Sequence, residues 1–451
     1  MTAPASAPSD LELSRSRSKV LWLSTAAFTL LFAVWLMLGV LGVPMQKEMN
    51  ATGVNLSDSQ LEWLVAAAIF SGALLRLNFG IWADRFGGRN VMVALLLFTA
   101  IPTYLFSHAT SYPMLLLCAA LFGLAGNSFT VGIAWNSAWF PDKSKGTALG
   151  VFGAGNVGAS GTKLLVIFVP TVLTLVPASG YLGGLIPGGW RAIPVFYSGL
   201  LILMAGIIYW LAPTNDPLPA KGRSMKELLQ PLKHMQVWRF SLYYVVVFGA
   251  YVALSGWLPK FYMKTYDIPL TTAALYTASF IFPASLLRPF GGFLSDKFGP
   301  RVVTYAVFCV MASALAVLSI PYGTYLGIEY HPGAGAFAML MFVVGCGMGI
   351  GKASVYKYIP NYFPKDVGAV GGLVGMLGAL GGFFLPPLFG FLGRTSGIPQ
   401  LAFLSLLGLT VGSLIWLHIS VMRIRATKQR ELTAGASNPG LSPSLEPEVA
   451  T

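Results

Sequence analysis

At 451 residues, with 55% hydrophobic and only 10% charged side chains, the chain lacks the roughly 25% charge with which soluble domains face water. A set of soluble domains is therefore excluded. So is an outer-membrane barrel, whose strands alternate apolar and polar residues, because apolar runs here last about 20 residues, the length of a transmembrane helix. A net charge of +13 raises the question of nucleic acid, which the placement of the charges answers in the negative.

In chain order, residues 1–20 form an Ala/Ser/Pro-rich tail that is expected to be disordered. Twelve apolar spans follow, near 21–43, 61–83, 91–108, 113–140, 145–176, 192–212, 238–259, 271–295, 302–321, 334–360, 367–393 and 399–422. Span one is too long for the apolar core of a signal peptide and reads as a retained helix. Residues 213–237 are a polar linker at the middle of the chain, so 21–212 and 238–422 read as two six-helix bundles. Residues 423–451 are a second unpacked tail. With the N-terminus in the cytoplasm, 19 of the 29 Lys and Arg fall on cytoplasmic segments and five within spans. Five fall outside: Lys47, Arg191, Lys260, Lys264 and Arg394. That bias puts both termini in the cytoplasm and the chain in the inner membrane. The basic balance is topological, attracts anionic headgroups, and calls for no nucleic acid.

Cys118, Cys309 and Cys346 sit in apolar runs and read as small hydrophobes, and the four histidines lack ligand spacing. No metal, cofactor or catalytic constellation is expected, hence no enzyme.

The halves repeat one another. LLRLNFGIWADRFGGR (74–89) is matched by LLRPFGGFLSDKFGPR (286–301), offset by 212 at both Arg and Asp, and WFP (139–141) by YFP (362–364). Each of the latter is followed by glycines: 150, 153, 155, 158 and 161, then 375, 378 and 381. Two such halves predict an all-α transporter with a site between them at the midplane. Gly80, Asp84 and Arg85, repeated with Asp296 and Lys297, lie where a helix leaves the membrane. The glycine permits close helix approach. The carboxylate can meet a base or a helix N-terminus, which makes a gating latch. This pattern resembles the major facilitator superfamily over residues 20–425.

Charges inside the spans are Arg76, Lys163, Arg288, Lys352 and Lys357, and every acid lies in a loop, a tail or at a span end. Unpaired cations in hydrocarbon cost roughly 2.5–3.5 kcal/mol each. Snorkelling to an interface is open to Lys352 and Lys357. Arg76 and Arg288 each lie eight residues, roughly 12 Å of helix, from their Asp. That places them near the midplane, where two arginines need an anion between them. Their planar forks, with few other polar groups (Asn127, Asn136, Asn156, Ser160, Tyr244), suit a small planar monoanion. Formate and cyanate are runners-up, and a cation-lined anion channel is the rival class.

Residues 125–141 (AGNSFTVGIAWNSAWFP), 146–161 (GTALGVFGAGNVGASG) and 371–390 (GGLVGMLGALGGFFLPPLFG) resemble the signature regions of NarK-type nitrate/nitrite porters. The resemblance implies that Arg76 and Arg288 grip nitrate or nitrite, Asn156 and Tyr244 donate hydrogen bonds, and Phe129 and Phe248 sandwich the anion. It implies two energetic modes. Lys163, where some relatives carry an uncharged amide, together with Lys352 and Lys357, could serve proton coupling, since buried lysines lose protons readily. The expectation is therefore nitrate/proton symport in a functional monomer serving nitrate assimilation, with nitrate/nitrite antiport as the alternative.

Overall fold

The computed structural model describes residues 10–51, 53–158, 176–177, 179–325 and 327–437. Among these the chain is helical apart from turns, an isolated bridge between Tyr181 and Ile186, and one short antiparallel hairpin. The hairpin pairs Gly323–Tyr325 with Ile328–Tyr330 in the loop after span nine, and no sequence signal pointed to it. Among the described residues nine helices are long and apolar enough to cross a membrane. Span two adds a tenth as a pair, Asp58–Leu74 and Arg76–Phe86, bent by 41°. Span eight is divided in the same way, into Leu270–Leu286 and Arg288–Phe298. Span five is described over Asp142–Ala154 and Gly155–Val157; its remainder, with Ser160, Gly161 and Lys163, lies outside the described residues.

The two breaks fall immediately before the two midplane arginines. Leu75 (φ −91°, ψ 6°) and Leu287 (φ −81°, ψ 1°) leave helical geometry for the bridge region. Pro289, in the first turn of the second helix, favours the restart in span eight. Span two has no proline at the break and bends regardless, so the place in the fold decides. At the far end of each short helix, Gly87 (φ +89°) and Gly299 (φ +80°) make the turn out of the membrane, a left-handed conformation that glycine adopts without strain.

Since lipid is as apolar as the helices, packing and hydrogen bonds rather than hydrophobic exclusion must hold the halves together. Exposed Leu117, Phe196, Ile202, Trp210, Met339 and Phe384 form the apolar outer surface. Between the halves, backbones touch at glycine. A methyl at Gly80 would lie 2.0 Å from the Gly368 carbonyl oxygen, and one at Gly292 would lie 2.1 Å from that of Gly146. The linker is fastened to both halves at this face. Asp216 accepts from the indoles of Trp135 and Trp139 at 2.8 and 2.9 Å and from the Arg89 amide at 2.8 Å. Arg223 pairs with Asp366 at 2.7 Å. At the opposite face Arg191 bonds Glu48 at 2.9 Å and the carbonyls of Ser107 and Ala109, tying three loops of the first half together.

Candidate functional site

The two arginines converge from opposite halves, each on a glycine carbonyl of the other. Arg76 donates from Nη1 to the Gly375 oxygen at 3.1 Å and from Nε to the Gly72 oxygen of its own helix at 3.1 Å. Arg288 donates from Nη1 to the Gly153 oxygen at 2.9 Å and from Nη2 to the Tyr244 hydroxyl at 3.1 Å. Both are buried, and among the described residues neither has an acidic partner. The glycine series are what let the guanidiniums reach across: a methyl at Gly153 would lie 2.9 Å from Arg288 Cζ, and one at Gly375 would lie 3.4 Å from Arg76 Cδ.

Aromatic faces complete the chamber. Phe129 and Phe248 are parallel within 8°, with centroids 6.4 Å apart. That is close to the roughly 7 Å that two van der Waals contacts of about 3.5 Å would span around one planar group. Arg76 Cζ lies 5.8 Å from the Phe129 centroid and 5.6 Å from that of Phe248, and Arg288 Cζ lies 5.1 Å from Phe129. These are cation–π distances, and they bring both guanidiniums to the Phe129 ring. Tyr244 precedes, and Phe248 lies within, a π-helical turn over Val245–Gly249, an irregularity common at functional sites. Gly378 admits the Tyr244 ring, whose Cδ1 would be 2.3 Å from a methyl there.

Two polar groups in this region are buried without a partner among the described residues: Nη2 of Arg76 and the whole amide of Asn156. Asn156 lies in a short 3-10 turn about one helical turn past Gly153. Buried polar groups normally find partners, so Arg76 Nη2 and Asn156 Nδ2, both donors, suit a ligand that accepts hydrogen bonds. The other asparagines named from sequence serve the scaffold: Asn127 donates to the Leu124 carbonyl, and Asn136 to Ser24 and the Gly132 carbonyl.

Sequence reasoning missed Tyr356 and Trp35. Tyr356 donates to the Gly371 carbonyl at 3.0 Å and stands edge-on to Phe129 (5.0 Å) and Tyr244 (4.7 Å). Trp35 stacks on Arg76 at 5.3 Å and donates to the Ala68 carbonyl. An aromatic at helical spacing looks like core, and no signal separates these two from their neighbours.

The structure corrects the expectation for two lysines. Neither Lys352 nor Lys357 snorkels: they are 0% and 4% exposed. Lys352 donates to the Ala284 carbonyl at 3.0 Å and lies 3.1 Å from the Tyr251 ring centroid, 5.8 Å from that of Phe248. Lys357 does find an acid, bonding Asp296 at 2.8 Å, because Asp296 is carried down to it at the end of span eight. Lys163 lies outside the described residues.

The latch elements form a pair of cross-half caps. Asp84 accepts from the Gly368 amide at 2.8 Å, at the start of Val367–Ser396. Asp296 accepts from the Gly146 and Thr147 amides at 2.9 and 2.6 Å, in the first turns of Asp142–Ala154. Each carboxylate thus meets the positive end of a helix dipole in the opposite half. Arg85 and Lys297 are exposed and lie over Phe86 and Phe298. At the entry to that second helix, Lys145 hydrogen-bonds Asp142 and holds its carboxyl below the ordinary value.

Two halves clasped at one face, with buried cations meeting between them, define a secondary transporter. The sequence matches the profile of the Major Facilitator Superfamily over residues 23–328 and 262–444. It is 56% identical over 435 residues, covering 94% of this chain and 96% of the other, to the probable nitrate/nitrite antiporter NarK1 of Thermus thermophilus. The nitrite extrusion protein of Bacillus subtilis is 27% identical over 81% of this chain and 87% of its own. The probable nitrate transporter NarT of Staphylococcus carnosus is 28% identical over 86% and 92%. Among solved structures, the Escherichia coli fucose:proton symporter FucP superposes with a TM-score of 0.68 at 15% identity, over 90% of this chain and 99% of that one. This multi-pass membrane protein belongs to the major facilitator superfamily, among its NarK-type nitrate/nitrite porters.

Proposed function

We propose that the protein exchanges nitrate for nitrite across the cytoplasmic membrane by alternating access, with both termini and the clasped face in the cytoplasm. The observation that carries this is the pair of buried arginines from opposite halves, free of acids and meeting at parallel phenylalanines. An empty chamber of that charge is costly to reorient, and a bound monoanion lowers the cost whichever way it travels, which is the requirement for exchange. Arg76 and Arg288 grip the planar anion, Asn156 and Tyr244 hydrogen-bond it, and Phe129 and Phe248 cover its faces. Gly80, Asp84 and Arg85, with Asp296 and Lys297, gate the cytoplasmic side.

Exchange replaces proton symport as the leading reading because the relative at 56% identity is named an antiporter. Lys357, held by Asp296, fits gating better than coupling. Symport keeps one specific support in Lys352, a buried ammonium beside the chamber whose hydrogen-bond partner is a carbonyl. Proteoliposomes loaded with nitrite and a pH dye test both. Nitrate uptake that depends on internal nitrite, with no change in internal pH, supports exchange. Uptake without internal anion, accompanied by acidification of the lumen, overturns it.

A further inference from the structure

The two clasps stand at matching positions of the repeat but are built differently. Counting from the aligned WFP and YFP, helix Ser128–Trp139 ends five residues after Ala134, and helix Ala334–Tyr362 ends five residues after Lys357. Ala134 is therefore the first-half counterpart of Lys357, and Val370 is the second-half counterpart of Thr147. In the Asp296 clasp the carboxylate receives two amides, the Thr147 hydroxyl at 2.7 Å and the Lys357 ammonium at 2.8 Å. That ammonium also donates to the Asp142 carbonyl, joining spans eight and ten to the start of span five. In the Asp84 clasp the carboxylate receives, among the described residues, the Gly368 amide alone. Where the second half has its ammonium, the first half has a cavity of about 390 Å³ lined by Ala134 and Asp84 together. Lys145 lines the same cavity, but its ammonium is bound to Asp142.

We propose that Lys357 is a positioning residue of the transport cycle, an ion lock on one of two symmetry-related clasps, so that the halves part first at Asp84. The charge-assisted contacts concentrated on Asp296 are each stronger than a neutral hydrogen bond. The side held by one amide yields before the side held by four donors. Because Lys357 and Asp296 both gain water when the face opens, the lock biases the equilibrium without sealing it.

The inference rests on the alternating-access reading, and its test needs no substrate. Spin labels at Asn90→Cys and Lys365→Cys, exposed residues on either side of the Asp84 clasp, report the gap in the full chain in lipid nanodiscs with the three native cysteines changed to alanine. Lys357→Met should shift the ratio of parted to closed molecules at least roughly tenfold toward parted, the worth of one charge-assisted bond. Ala134→Lys, which places an ammonium in the cavity opposite Asp84, should shift it toward closed by a similar factor and slow exchange. Adding Asp84→Asn to Ala134→Lys should restore the original ratio. An unchanged ratio in Lys357→Met overturns the proposal, even if Ala134→Lys fails to fold. A closing shift that Asp84→Asn leaves intact also overturns it. If the distances respond as stated while nitrate fails to bind, the lock stands and the substrate assignment falls.

Discussion

Arg76 and Arg288 occupy equivalent positions, yet their surroundings divide the work. Arg288 is filled: each Nη has a protein partner, one of them the Tyr244 hydroxyl. Arg76 is held by two carbonyls and keeps Nη2 unfilled, with Trp35 supporting its plane. The two halves are matching scaffolds, and the side chains around them leave Arg76, with an unfilled Nη2, more donor capacity for the proposed anion than Arg288.

Substituting each arginine by lysine strains this contrast hardest. Arg76→Lys and Arg288→Lys both keep the charge and lose the planar fork. Each should weaken nitrate binding by roughly 10- to 150-fold, the range of one charge-assisted contact, with Arg76→Lys the more severe. Calorimetric titration of purified protein measures it. The double variant should be less than additive if both grip one anion. Near-wild-type affinity in both single variants would place the anion elsewhere.

The glycines sharpen the comparison next. Gly153→Ala drives a methyl within 2.9 Å of the Arg288 guanidinium, whereas Gly375→Ala first meets the Tyr356 hydroxyl at 2.7 Å. Both should fold and insert. Gly153→Ala should slow exchange roughly tenfold by displacing a filled arginine, at the 1–3 kcal/mol scale of overpacking, and Gly375→Ala less, because a single hydroxyl gives way. Equal losses would show that the two arginines are not specialised. Tyr244→Phe removes the hydroxyl that accepts from the Arg288 guanidinium and should cost about tenfold in affinity, the low end for a hydrogen bond to a charged group. The least effect belongs to Arg223→Ala on the linker, whose half-exposed pair with Asp366 is worth at most about 1 kcal/mol, visible as a small fall in melting temperature with exchange retained.

The repeat, the clasped carboxylates and the midplane arginines were legible because charge is costly in hydrocarbon and so stands out against an apolar background. What followed from tertiary approach was not. Nothing in the sequence around Lys357 announces Asp296, because the pair forms only when span eight ends beside span ten. Lys352 carried no mark distinguishing a buried ammonium over Tyr251 from one reaching for the interface. The break at Leu75 also had no proline to announce it, and its twin at Leu287 did.

The π-helical turn in span seven sets the phase of everything after it. A π turn holds one residue more than the α turn it replaces, so the segment Ala250–Tyr266 lags an uninterrupted helix by about one position, roughly 100° of rotation and 1.5 Å of rise. That rotation is what brings Tyr251 onto Lys352 and within 3.1 Å of Ser285. Removing a single residue from Val245–Gly249 would leave a longer regular helix that still spans the bilayer, with its outer half facing the wrong neighbours. In this span a frame of one residue separates a working chamber wall from an ordinary membrane helix.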